Sequence, residues 1–152
     1  MSPYVMSAFV VLREKGLDFE METVDLKARQ NLQPEYRALS LTGRVPSLAH
    51  GELMLSESSA ITEYLEDVFA PPTYSAVYPH GAVERARARQ VQAWLRSDLA
   101  ALHEERPTTV IFAGAKQEPL SAEAQVAVQK LFQVAETLLQ GRNTLFNQWS
   151  IA

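Results

Sequence analysis

The sequence predicts an α/β unit followed by an all-helical one, with a short linker between them. Three observations predict it. A period of two over residues 17–23, and two short apolar runs either side of His50-Gly51, ask for strands. Pro71, Pro72 and Pro79 crowd the stretch from Ala70 to Pro79, where proline stops helices and favours extended backbone. Beyond that stretch the apolar residues keep helical spacing.

The elements follow in order. Pro3 to Lys15 reads as a helix with apolar residues on nearly every side (Val5, Met6, Phe9, Val11, Leu12), the pattern of a helix buried between two layers. Ser2 suits its N-cap, Pro3 its first position and Gly16 its exit. Leu17, Phe19, Met21 and Thr23 then alternate with Asp18, Glu20 and Glu22, a strand with one wet face. Asp25 to Gly43 is turn-rich, with a short helix expected over Pro34 to Leu39. Val45 to Ala49 and Leu53 to Ser56 form a hairpin about His50-Gly51. Ser58 to Phe69 is an amphipathic helix, with Ala60, Ile61, Tyr64, Leu65 and Val68 along one stripe. In the second unit Val91, Trp94, Leu95, Leu99 and Leu102 keep helical spacing, as do Val128, Leu131, Ala135 and Leu138. Arg106 to Pro119 is read as a connection between them, and Trp94 and Tyr64 as core residues. The boundaries are residues 1–70, a linker over 71–80, and residues 81–152.

Bulk properties narrow the function. A formal net charge of −4 gives no basic footprint for nucleic acid or a membrane surface, and Arg85, Arg87, Arg89 and Arg96 read as a solvated helix face. The apolar run from Tyr4 to Leu12 is too short to span a bilayer, so a cytoplasmic protein is expected. The chain contains no cysteine, so any thiol chemistry must borrow its sulfur from a bound small molecule. No histidine–carboxylate cluster has metal-ligand spacing and no glycine-rich phosphate loop occurs; neither a metal nor a nucleotide is expected.

Three local signatures, in this order and spacing, resemble the glutathione transferase family. They are Ser2-Pro3-Tyr4 at the head of the first helix, Arg44-Val45-Pro46-Ser47-Leu48 before a strand, and Glu57-Ser58-Ser59-Ala60-Ile61 opening the helix that runs into Tyr64-Leu65-Glu66. Residues 57–72, 85–98 and 104–116 look most similar to the bacterial YfcF-type branch. The resemblance covers essentially the whole chain. It implies a thioredoxin-like α/β N-terminal domain whose first strand is missing, and an all-α C-terminal domain that is truncated. In the family a central strand precedes the serine-bearing helix, and a Ser-x-x-Asp helix cap begins where this sequence ends at Ser150-Ile151-Ala152. The resemblance therefore implies a fragment, with Met1 not a natural start.

It also implies a substrate, glutathione, and roles for particular residues. A free thiol titrates near 8.5, so little of it is ionised at neutral pH. Lowering that value by two units takes about 2.7 kcal/mol. A hydroxyl donating to an anion supplies about 1.5–3 kcal/mol, and a helix N-terminus about 0.3–1 kcal/mol. Ser2 offers both and is the candidate catalytic residue, though a plain N-cap explains it equally well; Tyr4 is the competing donor. Val45-Pro46 resembles the family's cis-proline element, in which the Val45 N–H and C=O pair with the cysteinyl backbone of glutathione like an added strand, while Pro46 only shapes the site. Glu57 is expected to meet the glutathione α-ammonium group, and Ser58 with the nearby helix N–H groups its α-carboxylate, beside ordinary helix capping. Arg44 is a further candidate for a glutathione carboxylate, and Lys27, Arg29 and Gln30 lie where the family reaches the glycyl end. His103 and Arg106 sit near a helix end, where they face either the cleft or, the favoured reading, the surface. The implied activity is attack of glutathione thiolate on a small electrophile or a peroxide, in a homodimer. The alternative is a non-catalytic glutathione-binding or stress-response module of the same fold.

Overall fold

The structure, a computed structural model, describes residues 2–146 and 149–152; Met1 lies outside them. The chain divides into two compact units, residues 1–77 and 78–152. In the first, α1 (Pro3–Glu14) is followed by an extended segment, a single 3₁₀ turn (Gln30–Leu32), α2 (Pro34–Leu39), the strands β1 (Ser47–His50) and β2 (Leu53–Ser56), and α3 (Ser58–Val68). In the second, α4 (Ala82–Ser97), α5 (Ala100–Glu105), α6 (Thr108–Ala113) and α7 (Ala122–Leu139) follow in turn.

The core of the first unit lies between α1 and α3, which pack along one another. Ala8 and Val11 from α1 and Ile61 and Leu65 from α3 are buried there. Burying the three larger side chains stabilises the unit by about 1.5–3 kcal/mol each. At the C-terminal end of the helix pair the Lys15 side chain is wholly buried. Its ammonium donates to Glu66 Oε2 at 2.6 Å, to Phe69 O at 2.9 Å and to Ser75 O at 2.9 Å. Glu66 Oε2 also accepts from the Val77 N–H at 3.2 Å. Three donors thus meet three acceptors, which is what makes a buried charge tolerable.

The sheet is a two-stranded antiparallel hairpin with Ser47 opposite Ser56 and His50 opposite Leu53. Pairing begins at Ser47 and not at the expected Val45, because Pro46 has no N–H to contribute to a ladder. The turn is Gly51-Glu52, one residue beyond the expected His50-Gly51, and Gly51 takes the positive φ (59°) that tight hairpins require. His50 Nδ1 and the Tyr64 hydroxyl, 2.7 Å apart, tie the tip to α3.

Four further expectations need correction. Residues 17–25 form no strand: local alternation sets which face would be wet, but a strand exists only with a partner beside it, and none lies there among the described residues. For the same reason α1 is covered on one side only. Apart from Ala8 and Val11 its apolar residues are half-buried or, at Tyr4, exposed, with Phe9 edge-on to Phe19 at 5.8 Å. The helix expected to run through Val91 and Leu102 breaks at Asp98-Leu99. There Ser97 Oγ turns back to Ala93 O at 3.0 Å, and the Asp98 carboxylate takes the Trp94 Nε1–H at 2.7 Å and pairs with Lys130. Residues 106–119 are more than a connection. They hold α6, which starts after Pro107 and leaves through Gly114 at φ 62°.

Trp94 and Tyr64 are half-buried, each with its polar tip hydrogen-bonded, and neither belongs to the fully buried core. The arginines of α4 divide: Arg87 and Arg89 are exposed, whereas Arg85 is half-buried over the Tyr78 ring at 5.2 Å and Arg96 is half-buried too.

Candidate functional site

The hairpin register brings two of the three signatures together. Ser47 faces Ser56, so Arg44-Val45-Pro46, just before β1, and Glu57-Ser58, just after β2, emerge at the same end of the hairpin. Ser2 joins them through the helices. The C-terminal ends of α1 and α3 are tied by Lys15 and Glu66, and the helices pack along one another. They therefore run side by side, with both N-termini at one end.

Ser2 caps α1, its Oγ accepting from the Tyr4 N–H at 3.3 Å with the extended backbone (φ −80°, ψ 145°) of an N-cap. Capping uses the oxygen as acceptor and leaves the hydroxyl hydrogen to donate elsewhere. Tyr4 stands two residues on, 38% exposed.

Glu57 has an uncommon backbone, φ 73° and ψ 115°, for a residue with a side chain. Such a conformation costs about 1–3 kcal/mol and persists only where its surroundings impose it. It lets the Glu57 carbonyl accept the first α3 bond, from Ile61 N–H at 3.0 Å, while the carboxylate stays exposed. Among the described residues no side chain caps α3, so its leading N–H groups have no protein acceptor there. Ser58 is 5% exposed, and among the described residues its hydroxyl has no hydrogen-bond partner. This end of α3 is arranged to receive a carboxylate.

The Val45–Pro46 peptide is cis, and Val45 is half-buried. Among the described residues neither its N–H nor its C=O has a hydrogen-bond partner. The residue before it is held firmly: Arg44 O accepts from Tyr36 Oη at 2.9 Å, Ser40 Oγ at 3.0 Å and Ser47 Oγ at 3.4 Å. Asn31 Nδ2 holds Gly43 O at 2.8 Å. Gly43 has φ 65°, and a Cβ there would lie 2.8 Å from Arg37 Nη1. Tyr36, Ser40 and Asn31 carry no motif. The one signal for the first two is their spacing of four, with Tyr36 on α2 and Ser40 as its C-cap. The Arg44 side chain is exposed, as are Lys27, Arg29 and Gln30; Gln30 Oε1 is taken by the Asp25 N–H at 2.7 Å.

In the second unit His103 is exposed. Arg106 closes the following loop, donating to Glu105 O at 2.8 Å and Glu118 O at 2.7 Å. A cavity of about 260 Å³ there, bordered by Leu139, Thr144, Trp149 and Ala152 among others, includes none of the candidate residues. Among the described residues no three His, Cys, Asp or Glu side chains gather as a metal site would need. No described helix is long and apolar enough to cross a membrane.

Comparison with known proteins identifies the family. Residues 1–68 match the family description "Glutathione S-transferase, N-terminal domain", and residues 82–152 match "Glutathione S-transferase, C-terminal domain". A glutathione transferase homologue from Burkholderia gl BGR1, whose crystal structure contains bound glutathione, is 45% identical with a TM-score of 0.78, over 99% of this chain and 69% of that one. Glutathione S-transferase 1 of Dianthus caryophyllus is 31% identical over 87% of this chain. Glutathione S-transferase T1 of Arabidopsis thaliana is 29% identical over all of it. The chain spans 58% and 65% of the lengths of these two curated relatives. The chain belongs to the glutathione transferase family and has that family's fold, here a thioredoxin-like unit with a two-stranded sheet followed by a helical unit.

Proposed function

We propose that this protein is a glutathione transferase whose glutathione site is the hairpin end described above. The observation that carries the proposal is the shared exit of Arg44-Val45-Pro46 and Glu57-Ser58 from the hairpin, beside the N-terminus of α1. The glutathione bound in the Burkholderia relative supports it.

In this reading the Val45 N–H and C=O pair with the cysteinyl backbone of glutathione, and Pro46 shapes the loop. Glu57 takes the α-ammonium group. Ser58 and the first α3 N–H groups take the α-carboxylate, and the Arg44 guanidinium meets a glutathione carboxylate. Ser2 donates its hydroxyl hydrogen to the thiolate, with Tyr4 the next donor along the helix. The thiolate sulfur then forms a bond to an electrophilic carbon while the leaving group departs with its electron pair. With a peroxide the thiolate takes one oxygen and becomes a sulfenic acid as the other leaves as alkoxide. With no protein cysteine, a second glutathione resolves that sulfenic acid to a disulfide and water. The glutathione-binding domain is residues 1–70, with a linker over 71–80 and the electrophile pocket in residues 81–152. A homodimer, a cytoplasmic setting and membership of the YfcF-type bacterial branch complete the proposal.

The test is retention on immobilised glutathione together with turnover of a chromogenic electrophile and of cumene hydroperoxide. Retention with both activities absent would favour a non-catalytic binding module; no retention would remove glutathione from the account.

A further inference from the structure

The three hydroxyls around Arg44 lie behind the residue whose backbone is proposed to hold glutathione. We infer that Tyr36 and Ser40 are positioning residues for the Val45 N–H, and so set the affinity of the site for the peptide ligand without touching it. The inference rests on the reading of Val45 as a glutathione partner and adds the residues that aim it.

The argument is one of peptide geometry. Arg44 C=O and Val45 N–H belong to the same peptide unit, and that unit is trans. A trans peptide is planar, with its carbonyl and its N–H on opposite sides of the chain. Fixing the direction of the carbonyl therefore fixes the N–H at 180° to it. Tyr36 Oη, at 2.9 Å, and Ser40 Oγ, at 3.0 Å, both donate to that carbonyl. Ser47 Oγ lies 3.1 Å from Tyr36 Oη and 3.4 Å from Arg44 O, so with the tyrosine hydrogen on Arg44 O the one serine hydrogen is shared between the tyrosine oxygen and the carbonyl. Tyr36 and Ser40 thus hold Arg44 O together, with Ser47 beside them.

The support itself is rigid. Ser40 is fully buried and is the C-cap of α2, its N–H bonded to the carbonyl of Tyr36 on that helix at 2.9 Å. The Asn31 bond to Gly43 O fixes the preceding peptide as well. The unpartnered Val45 N–H is thus directed away from α2 before any ligand arrives. Binding then avoids the entropy of ordering a loop donor.

Isothermal calorimetry with glutathione, paired with thermal melts, tests this on Ser40→Ala, Tyr36→Phe and the double variant. Each single variant should bind glutathione about five-fold more weakly and the double variant at least about twenty-fold. Turnover at saturating glutathione should change by less than about twofold. Ser40→Thr, which keeps the hydroxyl, should restore most of the affinity. Tyr78→Phe, which deletes a hydroxyl bond to Gln92 in the other unit, should lower the melting temperature while leaving affinity unchanged. If Ser40→Ala does not fold, Tyr36→Phe carries the test, since Tyr36 is only half-buried. Unchanged affinity in the variants, with melting temperatures reduced as in the control, overturns the inference and leaves the glutathione reading standing. No glutathione uptake by the unmodified protein overturns both.

Discussion

Ser2 holds two jobs, and alanine there removes both. Its oxygen caps α1 and its hydrogen is proposed to face the thiolate. Ser2→Ala should lower conjugation at least about tenfold, equivalent to about 1.4 kcal/mol of anion stabilisation. Glutathione affinity should barely move; steady-state kinetics separates the two, and unchanged turnover would pass the role to Tyr4. Glu57 likewise combines a strained backbone with an exposed carboxylate. Glu57→Ala and Glu57→Gly should both weaken glutathione binding. Glycine alone relieves the positive φ, so the glycine variant should be the more stable of the two by about 1 kcal/mol in urea denaturation. The motif residues were legible because their types state their chemistry: hydroxyl, carboxylate, proline. The φ of Glu57 and the hydroxyls behind Arg44 were not, since each depends on where the chain goes next.

Among the elements, α1 and α3 depend on a contact no periodicity reveals. Lys15 reads as the last polar residue of a helix, yet its ammonium is enclosed by Glu66 and two carbonyls. Lys15→Met should cost about 3–5 kcal/mol, because it strands a buried carboxylate. Chemical denaturation of Lys15→Met and of the Lys15→Met/Glu66→Met pair measures this, and the pair should recover only part of the loss, since Val77 N–H, Phe69 O and Ser75 O stay unpaired. In the second unit Glu105 joins α5 to the N-cap of α7. It accepts from Ser121 Oγ at 2.5 Å and from Ser121 N–H at 2.9 Å. The hydroxyl bond first, then the backbone bond, holds its carboxyl below the usual value of 4.5. A lowered folded-state value means that the stabilisation is complete above that pH and fades as the pH falls through the folded-state value below it. Melting curves of wild type and Glu105→Gln should therefore differ at pH 7 and converge in strong acid.

For the whole molecule, the order of elements was readable because each helix and the hairpin carry local signals of capping, periodicity and turn chemistry. Residues 17–25 were misjudged because a strand is a property of two segments, and alternation describes only one. The break at Asp98 was hidden because Trp94 and Leu102 continue a helical stripe across it, while the side-chain bonds that end α4 come partly from Lys130, far along the chain. The glutathione site is legible in the same uneven way, its ligand-facing residues in motifs and its supports only in the fold. The central claim is that these supports and motifs make one site for an anionic tripeptide on a chain of net charge −4, so the attraction must be local. Calorimetric titration of glutathione into the unmodified protein and into Glu57→Ala tests it most directly. The account predicts saturable one-to-one uptake that weakens at least about tenfold in the variant. Equal affinity in the two proteins, or no uptake by either, would contradict it.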